Sequence, residues 1–362
     1  MSEDRSVTPL PHSWPFFRIL SAVRMAFDVR KIAMATIGLL LLWLGWSILD
    51  RLFPGSADVT PELKPPPGLG RLVLTDVGRD LILGRLGEPF RALAQPISAL
   101  FHPSSGGTAL AHALLAIAWL LVVWGPISLA IGRLAAIQAA QSRLGGIGEA
   151  LRFARIAGPS MILAILYPMA GIVLLCLPGL AIGWLYRIPG GDLIAGLLLF
   201  LPLLCGLVMA LFAASVLAGW ALFPAAIATG AEDALDALGR TYSYMNQRLV
   251  VFVMAIAIAA VAGVVGLVVV DLLTAAVFRF SAWSLSLDGP SERIVNLFAI
   301  EPNRAESLAM GVHRFWLDTV RLVAHAWVYS YFWTAATMVY LGLRQMNDGT
   351  PFEVIDPPDP DA

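Results

Sequence analysis

The run "HRFWLDTVRLVAHAWVY", residues 313–329, gathers more side chains able to do chemistry than any other stretch of this sequence. At the helical period Arg314, Asp318, Arg321, His325 and Tyr329 fall on one face, within about 80° of one another. His112 and Asp271 stand at a comparable depth in two other apolar segments, counting about twenty residues back from one membrane side at 1.5 Å per residue. Ionisable groups inside a membrane bundle are costly, and a functional role is the default hypothesis for them. His112, Asp271, Asp318, Arg321 and His325 could thus form an outward-facing proton or cation site. Asp271 would be its acidic member and the two histidines its titratable partners. Two plainer readings stand beside it. At that depth the groups could simply reach water and headgroups, with Arg321 snorkelling, or an Asp–Arg–His cluster could tie helix ends together.

Other chemistry is thinly represented. There is no H-E-x-x-H, P-loop, G-x-G-x-x-G at a strand–helix junction, or G-x-S-x-G elbow. The run "SSGGT", Ser104 to Thr108, has only His102 and His112 near it as bases and matches a common Ser–Gly loop. Cys176 and Cys205 have neither metal spacing nor a disulfide framework, so buried packing is expected of them. A net charge of −1 without any basic block argues against a nucleic-acid partner. No catalytic residue, metal or cofactor is expected.

The elements that must position these residues are membrane helices. The chain has 362 residues, of which 58% are hydrophobic and only 14% charged. Its mean hydropathy is +0.77. Soluble domains carry about 25% charged residues. Six spans are expected, at about 32–50, 108–132, 160–186, 193–222, 249–271 and 321–343, each near the roughly 20 residues a crossing helix needs. Pro126, Pro168, Pro178 and Pro202 should kink them. Trp43, Trp46, Trp184 and Trp220 stand toward span ends, where aromatic anchors collect.

The first apolar run follows a long polar and aromatic lead, so it reads as a retained helix rather than a cleaved signal. Arg18, Arg24, Arg30 and Lys31 precede it, and Arg133, Arg143, Arg152 and Arg155 lie between spans two and three. That bias puts both termini on the cytoplasmic side of a bacterial inner membrane. The expected organisation is a leader over 1–31, a membrane domain over 32–343 and a tail over 344–362. Loops 51–107 and 280–320 then lie outside. Within the first, 54–70 should be extended, and "DLILGRLGEPFRALAQPISALF" should lie on the outer interface. The acidic, Pro-rich tail should be mostly disordered.

Between spans four and five sits "TGAEDALDALGRTYSYMNQR", residues 229–248. Thr229 and Glu232 have capping-box spacing. Leu235, Leu238, Tyr242 and Met245 form an apolar stripe, and Asp236 and Arg240 make an acid-first i,i+4 pair. The passage predicts an interfacial elbow helix lying in the membrane plane. Similar elbows precede span one, with Phe16, Leu20, Val23 and Phe27 as the stripe, and span three, in "GEALRFARIAGP". An elbow–span–span unit repeated three times is the expectation.

The stretch from "WGPISLAIGRLAAIQAAQSRLGGIGEALRFAR" to the Asp233–Ala234–Leu235 and Tyr242–Ser243–Tyr244 helix resembles uncharacterised bacterial multi-pass membrane proteins. The resemblance covers about 110–260 and implies a fold but no reaction and no site residues. The sequence therefore points to an all-α polytopic bundle. Its function is read as a non-enzymatic scaffold or accessory subunit, with the bilayer and a protein partner or second copy as contacts. A small-molecule or ion transporter is the alternative. Small residues in "AGVVG" of span five permit close helix association, within one chain or between chains.

Overall fold

Apolar residues too numerous for a water-soluble core organise this chain into long helices. The structure, a computed structural model, describes residues 15–54, 59–60, 84–102, 106–141, 143–230, 233–291, 294, 298 and 308–355. Most of the Pro/Gly-rich stretch 54–70 and the Glu232 half of the capping box fall outside them. Among the described residues every regular element is helical. A 3-10 turn, Pro15–Leu20, leads into α1 (Ser21–Ala26) and α2 (Val29–Leu52). There follow α3 (Glu88–Leu100), α4 (Gly107–Gln141), α5 (Ile147–Leu185), α6 (Gly191–Leu198) and α7 (Phe200–Gly219). The chain ends with α8 (Phe223–Gly230), α9 (Ala234–Gln247), α10 (Leu249–Ser286) and α11 (Leu308–Asp348).

Among the described residues five helices are long and apolar enough to cross a membrane: α2, α4, α5, α7 and α10. The chain is thus a membrane-embedded helical protein. The sixth expected span, inside α11, fails on composition rather than length. From Trp327 to Tyr340 it carries two tryptophans, three tyrosines, two threonines and a serine, whose polar tips lower its hydropathy. Those residues are buried, and α11 packs on α1, α2, α4, α8 and α10. An inner helix never meets lipid, so its composition need not match lipid.

What holds α11 in place is a set of notches. A side chain at Gly263 of α10 would overlap the Tyr331 ring, and one at Gly266 would overlap the Trp327 indole. The small residues of "AGVVG" are therefore spent inside one chain, letting two aromatic side chains lie directly on the α10 backbone. The Tyr331 hydroxyl donates to the Ala259 carbonyl of the same helix.

Several expectations change at this level. Trp46 and Trp220 are core residues, while Trp43 and Trp184 are exposed as anchors would be. Helices α4 and α5 run on through Pro126, Pro168 and Pro178. A break falls at Leu199, between α6 and α7. Pro202 sits in the first turn of α7, where its missing N–H has no helical partner to lose. The second elbow is not a separate piece, because residues from Ile147 run straight into α5. In the first elbow Ile19, Ala22, Met25 and Ala26 face the core, whereas Phe17 and Leu20 face outward. The start of the tail is also placed: Phe352 is fully buried, and Arg18 lies over its ring at 4.8 Å.

The elbow α9 exists, but its cap is Asp233, whose carboxylate accepts from the Leu235 and Asp236 amides, both at 2.9 Å. Thr229 belongs to the preceding α8, where its hydroxyl donates to the Ala225 carbonyl. Leu238 and Met245 pack into the bundle, and Tyr242 meets Phe223 edge-on at 6.0 Å. Burial pushes the Tyr242 hydroxyl up to about 12. Of the expected stripe only Leu235 is left outside, 61% exposed. The stripe is thus mainly a docking face for the protein's own helices.

Two outcomes follow. Gly266→Leu should cost about 1–3 kcal/mol in unfolding of the purified chain, because the Trp327 indole cannot withdraw from a packed core. Gly179→Leu, where an added side chain meets nothing within 4 Å, should be neutral. The second concerns Asp28, which caps α2 by accepting from the Arg30 amide at 3.0 Å and from Arg30 Nε at 2.9 Å. Burial pushes its carboxyl up, but the Arg30 hydrogen bonds and the Arg30 and Lys31 charges outweigh this and hold it below its ordinary 3.8. Asp28→Ala should cost about 1 kcal/mol at neutral pH. With the folded value depressed, that contribution is full above pH 3.8 and lost as pH falls through the lower folded value. Stability curves of wild type and variant should therefore converge only in strong acid.

Candidate functional site

The polar residues singled out in the sequence do not form one constellation. Each is matched to its own partner, and two of the partners come from α3 and the turn before it. Helix α3 begins with Glu88 followed by Pro89, an acid and a proline both suited to a helix start, where N–H groups lack helical acceptors. Its apolar face, with Ala92, Leu93 and Ile97, is turned into the bundle. It was expected on the outer interface. Instead its N-terminal end reaches inward: the Trp220 indole donates to the Pro89 carbonyl at 3.3 Å, and Phe90 meets Phe332 edge-on at 5.0 Å. Phe332 lies 16 residues before Asp348, about 24 Å along α11.

That insertion delivers an acid and a base to two helices. Glu88, 2% exposed, places Oε1 2.8 Å from His325 Nε2 and accepts the Tyr329 hydroxyl at 3.2 Å. Three residues earlier Arg85 Nη1 lies 2.7 Å from both carboxylate oxygens of Asp271. Asp271 on α10 and His325 on α11 are therefore joined through one turn of chain, each already neutralised by an opposite or hydrogen-bonding group. His112 pairs elsewhere. It is fully buried on α4, stacks on Phe53 at 5.3 Å, and sits 3.3 Å from Asp50 at the end of α2. Asp50 also accepts the Thr60 hydroxyl at 2.9 Å. Asp318 and Arg321 pair with each other at 3.0 Å on the more exposed part of α11, with Arg321 also 5.6 Å over the Phe278 ring.

Thus Asp271 and His325 are brought together through a linker, Arg321 pairs locally with Asp318, and His112 serves a different helix pair. Sequence reasoning missed Arg85, Glu88 and Asp50. A signal for Glu88 existed in the Glu–Pro helix start, but the partnership spans 237 positions of chain, which periodicity cannot reveal. Chemically the Glu88–His325–Tyr329 group could pass a proton between its members. Its immediate effect is to pin α3 to α11. Among the described residues no group of three His, Cys, Asp or Glu side chains is placed to hold a metal. Cys176 and Cys205 are free thiols.

Compared with family models, with curated proteins and with solved structures, the chain matches none. The likeness seen over about 110–260 rests on the sequence of those residues alone.

The pairing ranks the substitutions. Removing one partner of a buried pair leaves the other stranded, so His325→Ala and Asp271→Ala should each cost about 3 kcal/mol or more. Asp318→Ala, at a half-exposed pair, should cost under about 1 kcal/mol. Unfolding of the three variants in one detergent checks the order. Equal costs would show that the α3 insertion does not hold the bundle.

Proposed function

We propose that this chain is a non-catalytic, multi-pass component of a bacterial cytoplasmic membrane, a scaffold or accessory subunit that works by what it presents to a partner. The observation carrying the reading is the plug of rings around α11. Trp124 stacks on Tyr329 at 4.6 Å, Trp333 lies 6.0 Å from Trp124 and 5.2 Å from Trp220, and Phe332 packs on Trp333 at 4.7 Å. A coupled transporter commonly keeps its site near the midplane, between half-helices that line a cavity. Here that level holds stacked aromatic rings, and the cavity beside them is lined almost wholly by apolar side chains.

The topology belongs to the same proposal: six spans, with both termini in the cytoplasm. Arg18 of the leader and Glu353 of the tail form an ion pair at 3.1 Å. Two segments that touch lie on one side, so the chain between them crosses an even number of times. Five apolar helices alone would break that parity, and α11 as the sixth restores it. A threefold elbow–span–span ancestry is compatible with this count, the second elbow having fused into α5.

The face offered to a partner is the α5–α7 hairpin. Leu203, Leu207 and Leu211 of α7 are more than half exposed. On α5, Gly179 and Gly183 are four apart and have open space where a side chain would be. Two small residues at that spacing let a second membrane helix approach closely. The paired polar groups of α3, α10 and α11 favour the alternative, an ion or small-molecule transporter, only if those pairs open.

Purification in mild detergent followed by mass spectrometry decides between them. A stoichiometric partner, lost in the Gly179→Leu, Gly183→Leu double variant, supports the subunit role. A chain that purifies alone, and gives vesicles an ion flux abolished by His325→Ala, overturns it in favour of transport.

A further inference from the structure

A cavity of about 330 Å³ runs between α7–α8, α10 and α11, beside the aromatic plug. Its walls are built from alanines on three elements: Ala218 and Ala221, Ala259 and Ala260, Ala335 and Ala336. Phe252 and Val339 stand toward one end, and Leu86 and Phe90, from the turn before α3 and its first turn, close the other. From Phe252 to Ala260, and again from Tyr331 to Val339, eight residues of helix give a length of about 12 Å.

Three properties together specify an occupant. Length comes first: about 12 Å is most of one leaflet's half of a 30 Å hydrocarbon core. The slot runs along its helices, as lipid chains do, with Leu86 and Phe90 at the end where α3 inserts. Polarity comes second. The Tyr331 hydroxyl at the wall is already donated to the Ala259 carbonyl, so a water molecule would find no partners there. Charge is the third. One turn before Phe252 stands Arg248, the residue preceding α10, exposed and with its guanidinium in no hydrogen bond or ion pair among the described residues.

We infer that the slot holds one acyl chain of a phospholipid from the leaflet on the side of the chain termini, with the lipid phosphate against Arg248. The apolar end fits because the walls are almost wholly apolar along that length. The polar end fits because Arg248 lies at the level where that chain meets its headgroup. The inference rests on the membrane placement of the chain and not on its having a protein partner.

The test uses the full chain, purified, delipidated in detergent and offered phosphatidylglycerol or phosphatidylcholine, with retained lipid counted by native mass spectrometry. Wild type should keep one phosphatidylglycerol, and Arg248→Gln should weaken its retention about fivefold and that of phosphatidylcholine less, because choline already offsets the phosphate charge there. Ala260→Phe with Ala336→Leu, which fills the slot, should abolish retention of both. Should that variant fail to fold, phosphatidylglycerol with a photoactivatable acyl chain replaces it on the wild type. Labels from the retained lipid should map to residues 252–260 and 335–339. Full retention by a folded, filled variant, or labels confined to the α5–α7 hairpin, would overturn the inference. A retained lipid without a protein partner removes only the subunit proposal, and a partner without lipid removes only this one.

Discussion

Everything in this bundle depends on how closely α11 approaches α10. In a bilayer no hydrophobic force draws helices together, because lipid chains are as apolar as leucine, so shape and buried polar bonds must supply the association. Here the shape is provided by backbone without side chains. Tyr331 and Trp327 rest on Gly263 and Gly266, and those contacts fix α11 in both rotation and height. Once it is fixed, the ring stack through Trp124, Tyr329, Trp333 and Trp220 has one arrangement available. The alanine slot beside the stack is then what remains between helices whose spacing is set by aromatic residues elsewhere.

Buried charge obeys the same geometry. A carboxylate on α3 and an arginine just before it would be costly at that depth in isolation. They are tolerated because His325, Tyr329 and Asp271 already stand on helices held in register by the notches. Dependence runs in both directions, since the insertion of α3 also closes the slot and presses Phe90 onto Phe332. The polar pairs and the aromatic core are thus one unit of packing, which is why the pairs read as structural first.

The five apolar helices, the elbow before α10 and the titratable residues of α11 were all legible in the sequence, because each is a matter of local composition or period. The partners were not. Glu88 and Arg85 meet residues 237 and 186 positions away, and nothing local in "GRLGEPF" indicates whether that segment lies on the membrane or in it. Burial was misjudged for a related reason. Trp46, Trp220 and the stripe of α9 have the chemistry of an interface, yet other parts of the bundle cover them, Trp333 meeting Trp220 and Phe223 meeting Tyr242. A large amphipathic side chain is ambiguous until the helix facing it is known. Thr229 shows a different failure: a correct motif at the wrong helix, because Asp233 lies nearer the turn and caps it instead.

The cations near the touching termini bear on orientation. Lys31 donates to the Met25 carbonyl at 3.2 Å and to Gln138 at 3.1 Å, and Arg133 donates to the Ala228 carbonyl at 2.8 Å. Arg344 donates to the Pro351 carbonyl at 3.4 Å and to that of Val354. Met25 and Ala228 lie in the last turns of α1 and α8, where carbonyls lack helical donors and the macrodipole favours positive charge. Three buried cations therefore close helix or chain ends instead of facing headgroups. The positive-inside bias acts while the chain is being inserted, before these bonds exist. Under the proposed orientation the same residues serve twice, first as the charges that keep this side from crossing and then as the donors that seal it.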